Sequence, residues 1–155
     1  METTIKFKII PTYKAIKEIY KHKKTWGFLY DAVEYSNEVF EEDDEIYFNY
    51  SHDKLYYINE EDYFWVAGYD NGKLAFLQFI NYANESHFDL VIAQKKSSIK
   101  TKDYFGNLIN WLSNTFSVKY LTTFPMNDHL KEYYINHGFR EYKKELRLDF
   151  DGRKD

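Results

Sequence analysis

The chain of 155 residues contains no cysteine, only two prolines and six glycines. The absence of cysteine excludes disulfides, thiolate metal sites and a cysteine nucleophile. A basic excess is also lacking, because 21 Lys and Arg residues stand against 25 Asp and Glu residues. The resulting net charge of -4 argues against a nucleic-acid binder, which usually carries a basic surface.

The chain also lacks long apolar runs. No run approaches the roughly 20 residues that a membrane-spanning helix needs, and residues 1–8 contain no apolar core of a signal peptide. We therefore expect a soluble, cytoplasmic protein that does not bind membranes. The five histidines have no metal-ligand spacing, so we expect no metal site; they are His22, His52, His87, His129 and His137.

Aromatic residues are abundant, at 21% of the chain, with 16 Tyr and 13 Phe. Tyrosine packs like phenylalanine and keeps a hydroxyl at the wet edge, which suits a small mixed fold with a half-exposed sheet. The length fits one domain, since compact domains cluster near ~100–150 residues. We assign residues 1–150 to this domain and 151–155 to a frayed tail.

The first third of the chain reads as a strand and two helices. Alternation at 5–9 predicts a strand, and Thr12 is a candidate N-cap for a helix over 13–24. The apolar positions of that helix are Tyr13, Ile16, Ile19 and Tyr20. Asp31 is a candidate cap for the second helix. The acidic cluster at 41–45 predicts a solvated loop, and residues 46–58 fit either a short strand with a loop or an insertion over the sheet.

The middle of the chain predicts three consecutive strands, at 63–69, 73–82 and 87–93. Asp70-Asn71-Gly72 predicts the tight turn between the first two, because Asn and Gly tolerate positive φ. The apolar run in the third strand predicts a central position in the sheet.

The last third predicts helix, strand, helix and strand. Thr101 or Asp103 would cap a helix that runs to Phe116, and a strand follows at 118–124. Asn127 or Asp128 would cap a helix through residue 137, and a last strand covers 141–150. This order predicts an α/β (α+β) fold with a mixed, mostly antiparallel sheet of about six to seven strands flanked by about four helices.

One motif of this last unit resembles a known family. Asn127, Tyr134 and Gly138-Phe139 have the spacing of the pattern N-x-x-A-x-x-x-Y-x-x-x-G-F, with Leu130 at the position of the small residue. This pattern and the order of elements resemble the GNAT superfamily of acetyl-CoA-dependent N-acetyltransferases.

The resemblance implies roles for particular residues. Tyr134 would be the general acid that protonates the leaving thiolate of coenzyme A; a phenol pKa near ~10 is within reach of a thiolate pKa near ~8.5. Asn127 would lie beside the pantetheine arm. Backbone N–H groups near Val91, Ile92 and Ala93 would hold the thioester carbonyl, where two strands splay apart in the family.

The loop that binds the cofactor diphosphate in the family departs from the usual Q/R-x-x-G-x-G/A pattern. Aligned on Gln94, the two glycine positions hold Ser97 and Ile99; aligned instead on Leu108-Ile109, they hold Asp103 and Phe105. In the family those glycines let the backbone approach the phosphates. The cofactor-binding residues predicted in this loop are Gln94, Lys95, Lys96, Ser97, Ser98, Ile99 and Lys100.

A general base and an acceptor pocket are also implied. His87 and Asp89 share one face of a predicted strand, so either is a candidate base, and Glu85 lies on the same side near the turn. Tyr30, Asp31 and Glu34 fall where the family binds its acceptor, and carboxylates suit a cationic amine.

The sequence thus predicts acetyl transfer from acetyl-CoA to an amine by direct attack on the thioester. The acceptor would be a small-molecule or peptide amine, and the protein a monomer or homodimer. The lost glycines keep an alternative open, a catalytically inactive GNAT-like fold that acts as a protein-interaction module, for example in a phage or mobile element.

Overall fold

A computed structural model of the chain describes residues 5–39, 50–51, 54–55, 62–96, 103–125, 127–143 and 145–150. Its elements are β1 (Ile5–Ile10), α1 (Thr12–Lys21), α2 (Gly27–Val39), β2 (Tyr50–Ser51), β3 (Lys54–Leu55), β4 (Tyr63–Asp70), β5 (Lys73–Asn84), β6 (His87–Lys95), α3 (Tyr104–Thr115), β7 (Tyr120–Thr123), α4 (Asp128–Asn136), β8 (Arg140–Tyr142) and β9 (Glu145–Asp149). The predicted acidic loop at 41–45 and most of 46–58 lie outside the described residues.

A seven-stranded sheet organises the fold, in the order β1-β4-β5-β6-β7-β9-β8. Within it β6 and β7 are parallel, whereas the other neighbouring pairs are antiparallel. β2 and β3 pair separately. The predicted mixed, mostly antiparallel sheet and the central position of β6 are confirmed.

Each face of the sheet carries its own hydrophobic core. On one face α1 and α2 bury Ile16, Ile19 and Leu29 against strand residues such as Trp65 and Leu77. On the other face α3 buries a second set of side chains against the sheet. That set includes Leu108, Leu112, Val66, Ile80, Leu90 and Leu121. Because successive strand residues point to opposite faces, each central strand contributes to both cores.

The β4–β5 hairpin turns where Asn71 and Gly72 take φ of 54° and 79°. Both angles lie in the left-handed region that Gly and Asn tolerate best, so the predicted turn is confirmed. β5 extends to Asn84, beyond the predicted end at 82.

Four predictions for the first third are wrong. α1 begins at Thr12, so Thr12 is its first residue, and the N-cap is Pro11 without a side-chain bond. α1 ends at Lys21 rather than 24, and Tyr13 is exposed while Ala15 takes the inward position. α2 begins at Gly27, so Asp31 lies inside the helix rather than at its cap.

The strand predicted over 141–150 is a hairpin of β8 and β9. Lys143, with φ of 59°, lies in the turn between them. The alternation of apolar and polar residues breaks at this turn, so the prediction of one continuous strand is wrong. Gly138 takes φ of 99° directly after α4, as a helix C-terminal glycine does.

Candidate active site at the divergence of two parallel strands

The site begins where β6 and β7 separate. Among the described residues their pairing covers three positions, from His87 opposite Tyr120 to Asp89 opposite Thr122. β6 then continues to Lys95, while β7 ends at Thr123. A register shift opposite Phe79 and Ile80 leaves Val91 as the extra residue of a β-bulge. The carboxyl ends of the two parallel strands therefore diverge, and ligands of α/β sheets bind at such ends.

A cleft of about 530 Å³ lies beside the last residues of β6, beyond the part of that strand that pairs with β7. α3 follows β6 and α4 follows β7, so both helices begin near it. The residues that line the cleft are Phe76, Ala93, Gln94, Lys95, Asp103, Tyr104, Phe105, His129, Leu130, Tyr133, Tyr134 and His137. This mixture of aromatic walls with a few polar groups is typical of a small-molecule site.

Tyr134 reaches the cleft from α4. Its ring is half-buried, edge-on to Phe105 at 5.2 Å and to Phe139 at 5.4 Å between centroids. Burial raises the pKa of Tyr134; a side-chain hydrogen bond with Thr123 opposes this rise, and the nearby charge of Asp89 adds to it. The phenol therefore keeps its proton at neutral pH and can donate it.

Asp89 and His87 lie on β6, joined through Thr122 of β7. The Thr122 hydroxyl donates to Oδ1 of Asp89 at 2.9 Å, and Nε2 of His87 lies 2.7 Å from the same hydroxyl oxygen. Burial raises the pKa of Asp89, against the hydrogen bond from Thr122 and the attraction of His87, which lower it. Burial also lowers the pKa of His87, although Asp89 and Glu145 oppose that shift.

The N-terminus of α3 is capped by Asp103, one of the two predicted caps. Its Oδ1 accepts a hydrogen bond from Gly106 N–H at 2.9 Å and lies 3.0 Å from Nε2 of His137. A Cβ on Gly106 would lie 2.2 Å from Oδ2 of Asp103, so glycine leaves the space that the carboxylate occupies. A carboxylate of the chain itself therefore bonds one backbone N–H in the first turn of α3 and places negative charge at this end of the helix.

The predicted loop residues separate into different environments. The Gln94 side chain donates to the carbonyl of Thr25 at 3.0 Å and accepts from Leu29 N–H at 3.1 Å, which ties β6 to the start of α2. Lys95 lines the cleft, and the Lys96 ammonium lies over the ring of Trp26. Ser97, Ser98, Ile99 and Lys100 lie outside the described residues.

Of the three residues predicted to hold the thioester carbonyl, Ala93 lines the cleft. Val91 is exposed at the bulge, and Ile92 packs against the core under α1 and α2. Asn127 caps α4, since its side chain accepts from Leu130 N–H at 2.8 Å. Asn127 is exposed and is not among the described residues that line the cleft.

The predicted acceptor residues lie on α2, away from the described lining of the cleft. Glu34 accepts a hydrogen bond from the Tyr20 hydroxyl. Tyr30 packs edge-on against Tyr20 at 5.2 Å between centroids, and Asp31 is exposed.

Sequence reasoning gave no site role to Thr122 or to the wall of α4 formed by Tyr133 and His137. Tyr133 and His137 are four positions apart, which places them on one helix face, and this spacing is the sequence feature that indicates a shared wall. Their approach to Phe105, with ring centroids 5.7 and 5.1 Å away, depends on how α4 docks against α3. Thr122 gave no local signal, since its partners lie more than 30 positions away in the chain.

No group of three or more His, Asp or Glu side chains is arranged to hold a metal ion in the described part of the chain. No helix in the same part is long and apolar enough to cross a membrane.

Comparison with solved structures identifies the fold, whereas no protein-family model and no curated protein sequence matches the chain. YhhK from E. coli, solved with bound coenzyme A, superposes with a TM-score of 0.58 at 12% identity over 96% of this chain and 99% of that one. The PaiA N-acetyltransferase from Thermoplasma acidophilum, in complex with coenzyme A, gives 0.57 at 10% identity over 95% and 99%. A protein of the KacTA–DNA complex gives 0.51 at 11% identity over 62% and 73%. The chain therefore has the fold of the GNAT-type N-acetyltransferases, which its sequence had predicted.

Proposed function

We propose that the protein is an acetyl-CoA-dependent N-acetyltransferase in which a substrate amine attacks the thioester carbonyl directly. The observation that carries this proposal is the cleft lined by Tyr134, which lies beyond Asp89, the last residue of β6 paired with β7 among the described residues. A candidate proton donor thus lines the cleft, and a candidate proton acceptor lies where the two strands begin to separate.

The thioester end of acetyl-CoA would lie along the divergent half of β6. The edge of β6 that faces away from β5 is not paired with β7 beyond Asp89 in the described residues, so N–H groups near Val91, Ile92 and Ala93 are candidates to bind the thioester oxygen. Asn127, close to the cleft residue Leu130, would lie beside the pantetheine arm.

The diphosphate would face the segment that follows β6. Lys95 and Lys96 carry positive charge there, and Gln94, Ser97, Ser98, Ile99 and Lys100 complete the predicted loop. Lysine side chains would replace part of the backbone cradle that glycines provide in the family.

These residues account for the bonds and protons exchanged in the proposed reaction. The amine nitrogen forms a bond to the carbonyl carbon, and the carbon–sulfur bond breaks as the tetrahedral intermediate collapses. Asp89, directly or through water, takes the proton lost by the amine and later releases it to solvent. Tyr134 gives its phenolic proton to the leaving thiolate and regains one from solvent.

The acceptor in this proposal is a small-molecule amine or a peptide amine that approaches from the face of His87 and Asp89. α1 and α2 cover the central strands of the same face. Tyr30, Asp31 and Glu34 of α2 therefore stay candidates for contacts with its cationic group, Asp31 being the exposed carboxylate among them.

Thermal unfolding with and without acetyl-CoA tests the proposal. A ligand at 100 times its dissociation constant adds ~2.7 kcal/mol to the stability of the folded state, a shift of several degrees in Tm. Ala93→Phe, which fills the cleft from β6, should abolish the shift, whereas Ala83→Phe on the exposed end of β5 should keep it. No shift of the wild-type protein at millimolar acetyl-CoA would exclude the proposed activity.

A second candidate, a protein-interaction module without catalysis, is favoured by one observation. The carboxylate of Asp103 occupies the first turn of α3, close to where the cofactor diphosphate would have to bind. This candidate predicts that neither acetyl-CoA nor coenzyme A changes Tm, and that substitutions in the cleft leave partner binding intact.

A further inference from the structure

We infer that Thr122 is a positioning residue for Asp89, holding one carboxylate oxygen so that the other faces the acceptor amine. The catalytic consequence of this role depends on the proposed function. The hydrogen-bond chain itself is a property of the folded protein and can be tested without turnover.

The chain runs from His87 through Thr122 to Asp89. Thr122 is buried with only 1% of its surface exposed, and its hydroxyl has a partner on each side, at 2.7 Å and 2.9 Å. A hydroxyl has one proton to donate, and an ionised carboxylate can only accept. The proton of Thr122 is therefore directed to Asp89, and the oxygen of Thr122 accepts from the Nε2–H of His87.

The sheet fixes these three side chains on one face. In the parallel register His87 lies opposite Tyr120, and Asp89 lies opposite Thr122. The His87 ring stacks on Tyr120 at 4.5 Å between centroids, and the Arg147 guanidinium lies 3.8 Å from the centroid of the Tyr120 ring. Stacking holds the plane of the imidazole, which keeps Nε2 directed at Thr122.

The charged and titratable groups around Asp89 come from several elements. His87 of β6 attracts the negative charge of Asp89, and Glu145 of β9 repels it. The same charge on Asp89 helps to raise the pKa of Tyr134 of α4. The charge of Arg147 of β9 lowers the pKa of His87, whereas the charge of Glu145 raises it. Thr122 is the neutral member of the set and binds Asp89 through a directed hydrogen bond.

Positioning has a defined chemical effect. Oδ1 of Asp89 is occupied by Thr122, so Oδ2 is the oxygen that takes the amine proton in the proposed step. The hydrogen bond also favours the ionised carboxylate, which is the form that acts as a base. Loss of the hydroxyl would leave the carboxylate free to rotate and would raise its pKa.

Carboxyl ¹³C NMR of Asp89 in the free protein tests the role in Thr122→Val, which keeps the shape of the side chain without the hydroxyl. The Asp89 pKa should rise by about 1 to 2 pH units, the equivalent of a hydrogen bond to a charged group. Thr122→Ser, which restores the hydroxyl, should return the pKa close to the wild-type value. Thr115→Val, on the exposed end of α3, is the matched control and should leave it unchanged.

Turnover measured on the same proteins separates the two proposals. If the protein acetylates amines, the acidic limb of its pH–rate profile should move to higher pH in Thr122→Val and return in Thr122→Ser. An unchanged Asp89 pKa in Thr122→Val, or no recovery in Thr122→Ser, overturns the positioning role even if turnover persists. A shifted pKa in a protein that binds no acetyl-CoA supports the positioning and overturns the proposed function.

Discussion

Nε2 of His137 lies 3.0 Å from Oδ1 of Asp103, and Nδ1 of the same ring lies 2.8 Å from the carbonyl oxygen of Tyr133. The imidazole of His137 therefore connects the end of α4 to the residue that caps α3. Nε2 of His137 and the Asp103 carboxylate form an ion pair when the imidazole is protonated. Both side chains line the cleft, so under the proposed function an incoming diphosphate would approach this pair.

Asp103→Asn should strengthen the binding of coenzyme A. Asparagine caps helices about as well as aspartate, so α3 keeps its cap while a negative charge leaves the anion-binding end of the helix. The Kd from isothermal titration calorimetry at low salt should fall by about three- to tenfold, equivalent to about 1 kcal/mol. Asp62→Asn, at the opposite end of the β4–β5 hairpin from the cleft, is the control for a change in net charge. Equal affinities of wild type and Asp103→Asn would show that the diphosphate does not approach α3.

His137→Gln should have the opposite effect. Glutamine lacks the imidazole, so the carboxylate of Asp103 would face the diphosphate without its contact to Nε2 of His137. Coenzyme A binding should weaken by about threefold or more in the same low-salt titration. In the Asp103→Asn background the same substitution should have little effect, because residues in one ion pair are not additive. Additive effects of the two substitutions would mean that the pair does not act as a unit.

The packing of Gly106 against the Asp103 carboxylate makes a prediction about stability. In the wild-type background Gly106→Ala displaces Oδ2, so the loss of the cap, about 1 kcal/mol, offsets the gain in helix propensity of about 1 kcal/mol. In an Asp103→Ala background that conflict is absent, and Gly106→Ala should stabilise the protein by about 1 kcal/mol. Urea unfolding of the four proteins measures the difference. Equal effects in both backgrounds would contradict the close contact.

Features with a local cause were predicted from the sequence. The β4–β5 turn follows from Asn71-Gly72, the cap of α3 from Asp103, and the end of α4 from Gly138, since each acts within a few residues. α3 was also recognised, because its apolar side chains recur at helical spacing along most of its length.

Features that depend on distant residues were not predicted. The bond between the Gln94 amide and Thr25, 69 positions earlier in the chain, has no signal in the sequence around Gln94. Thr122 meets His87 across 35 positions and Asp89 across 33. These contacts arise from strand register and helix docking, and no periodicity within one element encodes them.

Tyr134→Phe should lower turnover without weakening cofactor binding. Phenylalanine keeps the ring contacts with Phe105 and Phe139 but removes the acidic proton. Release of free coenzyme A with a panel of amines should slow by about 10²-fold, the lower end for general acid catalysis, at an unchanged Kd for acetyl-CoA.

Tyr133→Phe is the matched control for this substitution. Its ring also lines the cleft, and burial, together with the charge of Asp103, raises the pKa of Tyr133 to about 12. Removal of this hydroxyl should change turnover by less than about fivefold, since a group outside the proposed proton transfer adds less than about 1 kcal/mol. Full turnover in Tyr134→Phe would remove Tyr134 from the acid role.

Asp89→Asn should make the protein more stable at neutral pH. Burial raises the pKa of Asp89 above its ordinary value of 3.8, despite the hydrogen bond from Thr122, so the ionised carboxylate is less favourable in the folded than in the unfolded chain. That penalty vanishes only well below pH 3.8, where the group is protonated in both states; it grows as the pH rises to the folded-state pKa and is constant above it. The free energy of unfolding in urea should therefore exceed the wild-type value at pH 7, with a smaller gain at pH 3.5. Asp31→Asn, an exposed carboxylate on α2, should show no such pH-dependent gain. A variant less stable than wild type at pH 7 would mean that Thr122 and His87 outweigh the cost of burying the charge, in which case Asp89 would contribute to stability as well as to the proposed chemistry.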